Sequence, residues 1–151
     1  MNTEKVNTLL IGLGYHARRI YAKYLNESEL VNFCCFFDLL SQKDIIEKYI
    51  QQNGLDVRGY YTDNDEVSDS LSKEDEEILN KIIKEHSVKA VVISTEPLAH
   101  LKYIHWALSN NLHILLDKPI STEIDVSVSL DKAKKMFEDY KAGLSYVDLV
   151  S

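Results

Sequence analysis

"VNTLLIGLGYHA", Val6 to Ala17, holds the fold in twelve residues. Val6 to Ile11 is a short run rich in branched and aliphatic side chains, the signature of a strand, and it ends abruptly on Gly12. From Tyr15 onward the pattern changes period, and Ala17, Ile20, Tyr24 and Leu25 recur at the spacing of a helix face. A strand therefore turns through Gly12-Leu13-Gly14 directly into a helix.

Working outward, the same unit recurs. "LVNFCCFFDL", Leu30 to Leu39, is a second strand with Asp38 at its end. Ser41 with Asp44 then reads as a capping pair for a helix whose face is Ile45, Ile46, Tyr49 and Ile50, stopped at Asn53-Gly54. Arg58 to Thr62 is a brief third strand, followed by an acidic stretch and a helix from Ser72 to His86 with Ile78, Leu79, Ile82 and Ile83 inward. "VKAVVIST", Val88 to Thr95, lacks polar alternation, as expected of a strand covered on both faces. Pro97 suits the first turn of the next helix, where its missing N–H costs no bond. That helix buries Leu101, Ile104 and Leu108 and closes at Asn110-Asn111. "LHILL" is a further strand, Ser121 or Thr122 caps a last helix with Val126, Leu130, Ala133 and Phe137 as its stripe, and Gly143 precedes a short strand from Leu144 to Val147. Strands alternating with helices of this length require crossover connections, which give a doubly wound parallel sheet with helices on both faces. With 151 residues, one such domain over 1–151 is expected and no second of ordinary size fits.

The composition, 45% hydrophobic and 27% charged, is that of a folded globular chain. No apolar run approaches the length that spans a bilayer, and Met1 to Lys5 leave no room for a secretory leader, so a cytoplasmic location is the expectation. The net charge of −7 is concentrated between Asp63 and Glu77, where eight carboxylates face one base, Lys73. Such a surface repels nucleic acid, and the run reads as a solvated loop and helix face. Cys34 and Cys35 are adjacent, so in a regular strand they would point to opposite faces and remain reduced thiols. No Cys/His spacing of a zinc site is present, and no metal is assigned.

Gly12-Leu13-Gly14-Tyr15-His16-Ala17 has the form G-x-G-x-x-A between a strand and a helix. In that setting Gly12 permits the sharp turn, Gly14 lets a pyrophosphate approach the backbone, and small Ala17 lets helix pack on strand. The helix start adds unpaired N–H groups and a positive dipole end, both of which favour an anion. Asp38, at the end of the second strand, is placed to accept hydrogen bonds from an adenosine ribose. The combination implies a bound dinucleotide, and the Asp38 carboxylate favours NAD over NADP by repelling a 2′-phosphate. Tyr15 and His16 lie within the loop, either against the phosphates or as surface residues at a helix start.

"VVISTEPLAHLKYIHWALSNNLHILLDKPIS", Val91 to Ser121, resembles the fourth-strand to fifth-strand unit of the glucose-fructose oxidoreductase / inositol dehydrogenase (Gfo/Idh/MocA) family. There a strand ends in Thr-Pro-Pro or Thr-Pro-Asn, a His opens the next helix, and the following strand ends in Glu-Lys-Pro; here Thr95, Pro97, His100 and Asp117-Lys118-Pro119 fall in that order. The resemblance runs from Val6 to about Gly143 and implies a Rossmann fold. By it, Gly12, Gly14 and Ala17 line the pyrophosphate and Asp38 holds the ribose, while Thr95, Pro97 and His100 lie along the nicotinamide. Lys118 is then the active-site lysine. On its own, Lys118 reads equally as a surface lysine or as an ammonium in the ligand crevice able to stabilise developing negative charge. Asp117 stands where Glu is usual, and Glu96 where proline is frequent.

The resemblance further implies that these residues are the N-terminal half of a longer polypeptide whose second domain binds the substrate, a sugar, inositol or related polyol. The chain alone would bind cofactor and turn over little. The alternative is a sensing or regulatory module that binds NAD without chemistry and has no need of Lys118. An apolar patch left at the open end of the sheet would be covered by self-association into a homo-oligomer. The Lys118-Pro119 bond is open to either isomer.

Overall fold

A computed structural model of the chain describes residues 4–120, together with 122, 131, 134, 135, 137–139, 141 and 142. Among them β1 (Val6–Ile11), β2 (Val31–Leu39), β3 (Arg58–Thr62), β4 (Ala90–Ile93) and β5 (His113–Leu116) form one sheet in the order β3-β2-β1-β4-β5. Every pairing is parallel. The chain leaves β1 towards β2 on one side and returns to β4 on the other, so the carboxyl ends of β1 and β4 flank the crevice in which such sheets take ligands.

The helical segments are α1 (Tyr15–Ala17), a π-helical stretch (Arg18–Ala22), α2 (Lys23–Glu27), α3 (Lys43–Asn53), α4 (Lys73–His86) and α5 (His100–Ser109), with short 3-10 turns at Leu40–Gln42 and Pro97–Ala99. Both faces of the sheet are covered. Leu10, Phe36, Val92 and Ile46 pack with Leu13, Ala17 and Ala22 on one side. Leu9, Ile11, Phe37, Val91 and Ile93 pack with Leu79, Ile82, Tyr103 and Trp106 on the other. Alternation along each strand sends neighbours such as Phe36 and Phe37 to opposite cores. Among the described residues, no helix is long and apolar enough to cross a membrane.

Four local readings of the sequence are corrected. The first helix buries Ala17 and Ala22, with Tyr21 and Leu25 packed beside them, while Ile20 and Tyr24 are exposed, because the π-helical stretch inserts an extra residue into the turn and rotates the later face. Ser41 caps nothing: it lies in the 3-10 turn, and Gln42 precedes α3 without a side-chain cap bond, leaving Ile45 exposed outside the buried face. The acidic run is not wholly solvated, since Asp75 is buried, its N–H capped by Ser72 Oγ at 3.1 Å and its Oδ2 without a partner. Finally, Cys34 and Cys35 do not face opposite sides. The register of β1 on β2 slips between Thr8/Phe33 and Leu9/Cys35, and this bulge brings both sulfurs to the same core, 3.5 Å apart.

Other signals hold. Gly54 ends α3 at φ +60°, Ser72 caps α4, and Asn111 follows α5 at φ +54°. The described positions between 131 and 142 are helical as expected, but Phe137, expected on the buried stripe, is exposed, with Lys141 Nζ 5.4 Å from its ring centre. Val126, Leu130, Ala133, the Ser121 cap and the strand expected at 144–147 lie outside the described residues.

Candidate functional site

At the end of β1 the backbone turns at Gly12 with φ +87°, a conformation that side chains disfavour, and a Cβ here would sit 2.6 Å from Ser94 O. The turn is pinned from both neighbouring strands: Gly12 N–H donates to Phe37 O at 2.9 Å, and Ser94 N–H to Ile11 O at 2.8 Å. Gly14 is different. Its φ of −70° suits any residue, and a Cβ would meet nothing within 4 Å. The space over Gly14 is therefore open, the cradle that close approach of a phosphate requires. The first intrahelical bond runs from Arg18 N–H to Gly14 O at 3.0 Å, so the N–H groups of Tyr15, His16 and Ala17 have no acceptor within the helix. Ala17 is fully buried and seats the helix on the sheet.

Asp38, one residue from the end of β2, turns back onto this loop. Oδ2 accepts from Leu13 N–H and Oδ1 from Leu39 N–H, each at 2.6 Å. Burial pushes the Asp38 carboxyl above its ordinary value, against the pull of these two donors and of Arg18. Each oxygen retains a lone pair for a further donor such as a ribose hydroxyl. Arg18, which the sequence reading passed over, thus places a cation in the field of Asp38; its guanidinium stacks 5.6 Å from the Tyr49 ring centre.

The second half of the site is organised around Asp117, at the end of β5. Tyr21 Oη donates to Oδ1 and Ser94 Oγ to Oδ2, both at 2.5 Å, and His16 Nε2 lies 3.4 Å from Oδ2. One carboxylate thereby ties the glycine-loop helix, the β4 end and the β5 end together. Burial pushes the Asp117 carboxyl up, but the bonds from Ser94 and Tyr21 outweigh it and leave the carboxyl below its ordinary value. A carboxylate lowered on folding adds stability above its unfolded pKa of about 3.9, and that stability is lost as pH falls through the folded value. Melting temperatures of Asp117→Asn across the acid range are accordingly expected to fall less steeply than those of the parent; parallel curves would rule the network out as a source of stability.

The remaining candidates separate. His16 reaches Asp117, whereas Tyr15 is 69% exposed with Arg19 over its ring. Pro97 opens the 3-10 turn ahead of α5, and Thr95 Oγ1 donates to Glu96 O at 3.3 Å. His100 is fully buried between two carbonyls, with Pro119 O 2.8 Å from Nδ1 and Thr95 O 3.0 Å from Nε2. It braces the two loops that flank the crevice and offers neither nitrogen to a ligand. Lys118 is exposed, has no ion-pair partner among the described residues, and is joined to Pro119 by a cis peptide bond.

A parallel sheet of this strand order, with a strained glycine turn at its switch point and open space over the second glycine, defines a dinucleotide-binding α/β domain. The oxidoreductase family GFO_IDH_MocA, NAD-binding Rossmann fold, matches residues 6–142, and the chain belongs to it. Among solved structures it is similar to scyllo-inositol dehydrogenase from Lactobacillus casei with bound NAD(H) and scyllo-inositol, with 14% identity and a TM-score of 0.56 over 92% of this chain and 34% of that one. It is also similar to KijD10, a 3-ketoreductase from Actinomadura kijaniata in complex with NADP and TDP-benzene, with 15% identity and a TM-score of 0.57 over 92% of this chain and 35% of that one. Myo-inositol 2-dehydrogenase from Lactobacillus plantarum gives 14% identity and a TM-score of 0.58 over 92% and 34%. The chain thus spans about a third of the length of these proteins. No curated protein sequence matches it.

Proposed function

We propose that this chain is the cofactor half of a two-domain oxidoreductase that moves hydride between a nicotinamide and a hydroxyl-bearing carbon of a sugar, inositol or related polyol. The carrying observation is the loop itself: Gly12 is held in a turn that excludes a side chain, while Gly14 faces open space beside first-turn N–H groups. A diphosphate fits that cradle, because the amides and the helix dipole both attract negative charge. Asp38 holds the loop through Leu13 and would accept from the ribose with its remaining lone pairs. Thr95 and Pro97 would border the nicotinamide, and His100 would hold their loop in place.

The cofactor, when bound, would accept or donate the hydride at its nicotinamide. Lys118 would then hydrogen-bond the substrate oxygen and stabilise negative charge that develops on it. The similar scyllo-inositol dehydrogenase holds NAD(H) and scyllo-inositol, which supports the polyol class. The substrate-binding half would follow these residues in the longer polypeptide, so the isolated chain is expected to bind cofactor without turnover.

NAD is the expected partner, since a 2′-phosphate would meet the Asp38 carboxylate. Arg18 works the other way and narrows the preference. The test is a pair of thermal shifts with NAD and NADP. A ligand at a hundred times its Kd adds about 2.7 kcal/mol, enough for a clear rise in melting temperature. Asp38→Ser should weaken NAD while sparing NADP. Melting curves indifferent to both dinucleotides at millimolar concentration would remove the proposal.

A further inference from the structure

Cys34 and Cys35 share one face only because the strand is interrupted. Thr8 pairs with Phe33 and Leu9 with Cys35, so Cys34 is the extra residue of the bulge. Its Sγ lies 3.5 Å from Cys35 Sγ and 3.5 Å from Thr8 O. A third donor arrives from elsewhere in the chain: His86, the last residue of α4, is anchored to β1 by Asn7 Nδ2, which donates to its carbonyl at 2.8 Å. One ring nitrogen of His86 and the two sulfurs all lie within 4.8 Å of one another. The ring is oriented by Tyr60, whose hydroxyl is 2.8 Å from His86 Nε2 and donates to Glu85 Oε2 at 2.9 Å.

We propose that Cys34, Cys35 and His86 form a binding site for one thiophilic divalent cation, zinc being the natural occupant. The site lies on the amino-terminal side of the sheet, whereas Gly12, Asp38 and Lys118 lie at strand carboxyl ends, so it is separate from the dinucleotide crevice. Two sulfurs and an imidazole are the donor set zinc prefers, and with Zn–S bonds of about 2.3 Å a tetrahedral S···S edge is about 3.8 Å, close to the separation observed. Cys35 is buried, while Cys34 and His86 are half-buried, which leaves an entry path from solvent and an open fourth position for water. Tyr60 and Glu85 supply the outer hydrogen bonds that fix a ligating histidine.

A disulfide is the poorer use of this pair. Adjacent Cα atoms are about 3.8 Å apart across a trans peptide, short of the roughly 4.4 Å at which disulfides begin.

Titrating the fully reduced chain with Co²⁺ and then Zn²⁺ tests the site without any dinucleotide, and so independently of the proposed function. One equivalent of cobalt should raise a thiolate-to-cobalt charge-transfer absorption that zinc bleaches. Tyr60→Phe should weaken zinc by about 10–100-fold, and Cys34→Ser or His86→Gln, both at half-buried positions, by more. Should either variant fail to fold, thiol alkylation of the parent decides: zinc is expected to shield the half-buried Cys34 and a chelator to expose it, with Cys35 buried in both states. Absence of the charge-transfer band, its persistence in Cys34→Ser, or alkylation unaffected by zinc would each overturn the site.

Discussion

Gly12→Ala is expected to cost the fold about 3 kcal/mol, and Gly14→Ala almost nothing, although the two glycines belong to one motif. At Gly12 an L-residue must adopt φ +87° with its Cβ 2.6 Å from Ser94 O. A left-handed conformation costs roughly 1–2 kcal/mol, and relieving the overlap adds about 1–3 kcal/mol. The neighbour is backbone, and Ser94 is fixed in turn by its N–H bond to Ile11 O, so little relaxation is open to it. For a chain of this size, about 3 kcal/mol lowers the melting temperature by roughly 6–12 °C. At Gly14 a methyl enters open space on an ordinary backbone. Removing glycine's freedom in the unfolded chain even adds about 0.4–1 kcal/mol. Affinity for NAD should nevertheless fall at least about tenfold, a difference of about 1.4 kcal/mol, because the methyl occupies the ground a diphosphate needs. Melting curves without ligand and calorimetric titration with NAD separate the two effects. Parent-like melting of Gly12→Ala would refute the strained turn, and parent-like affinity of Gly14→Ala would refute the phosphate seat.

This contrast also marks how far the sequence could be read. Strand β1, the capped α4 and the glycine turn follow from patterns within a few residues, and the structure places them where the periodicity and turn chemistry indicate. The family was legible too, from two motifs that fall at the ends of different strands. What escaped depends on contacts between distant positions. Nothing local announces that Asp38 accepts from Leu13, or that Asp117 gathers Tyr21, Ser94 and His16. The π-helical stretch shifts a face by one residue, which a fixed period of 3.6 cannot register. The bulge at Cys34 is likewise invisible along β2, because it exists only in the register with β1. His100 shows the reverse error: a histidine at a helix start suggested a ligand contact, but burial between two carbonyls makes it a brace.

Phe36→Ala and Phe37→Ala should each cost about 3–5 kcal/mol, the usual range for emptying a buried aromatic site. Both rings are fully buried, yet they lie on opposite faces of β2. Phe36 packs with Leu10, Val92 and Ile46, with Tyr61 edge-on at 5.6 Å between ring centres. Phe37 packs with Ile11, Ile93 and the inner faces of α4 and α5, with Tyr103 edge-on at 6.3 Å. A sheet covered on one side only would tolerate one of the two truncations, since an already hydrated ring loses little burial on removal. A doubly wound sheet tolerates neither. Because domains of this kind are stable by roughly 5–15 kcal/mol in all, either change consumes a large share, and the double variant should be largely unfolded at room temperature. Urea denaturation followed by circular dichroism measures each cost. If one of the single variants lost less than about 1 kcal/mol, that face of β2 would not be closed by helices, and the crevice at the carboxyl ends would lack the rigid floor on which the glycine loop and Asp38 depend.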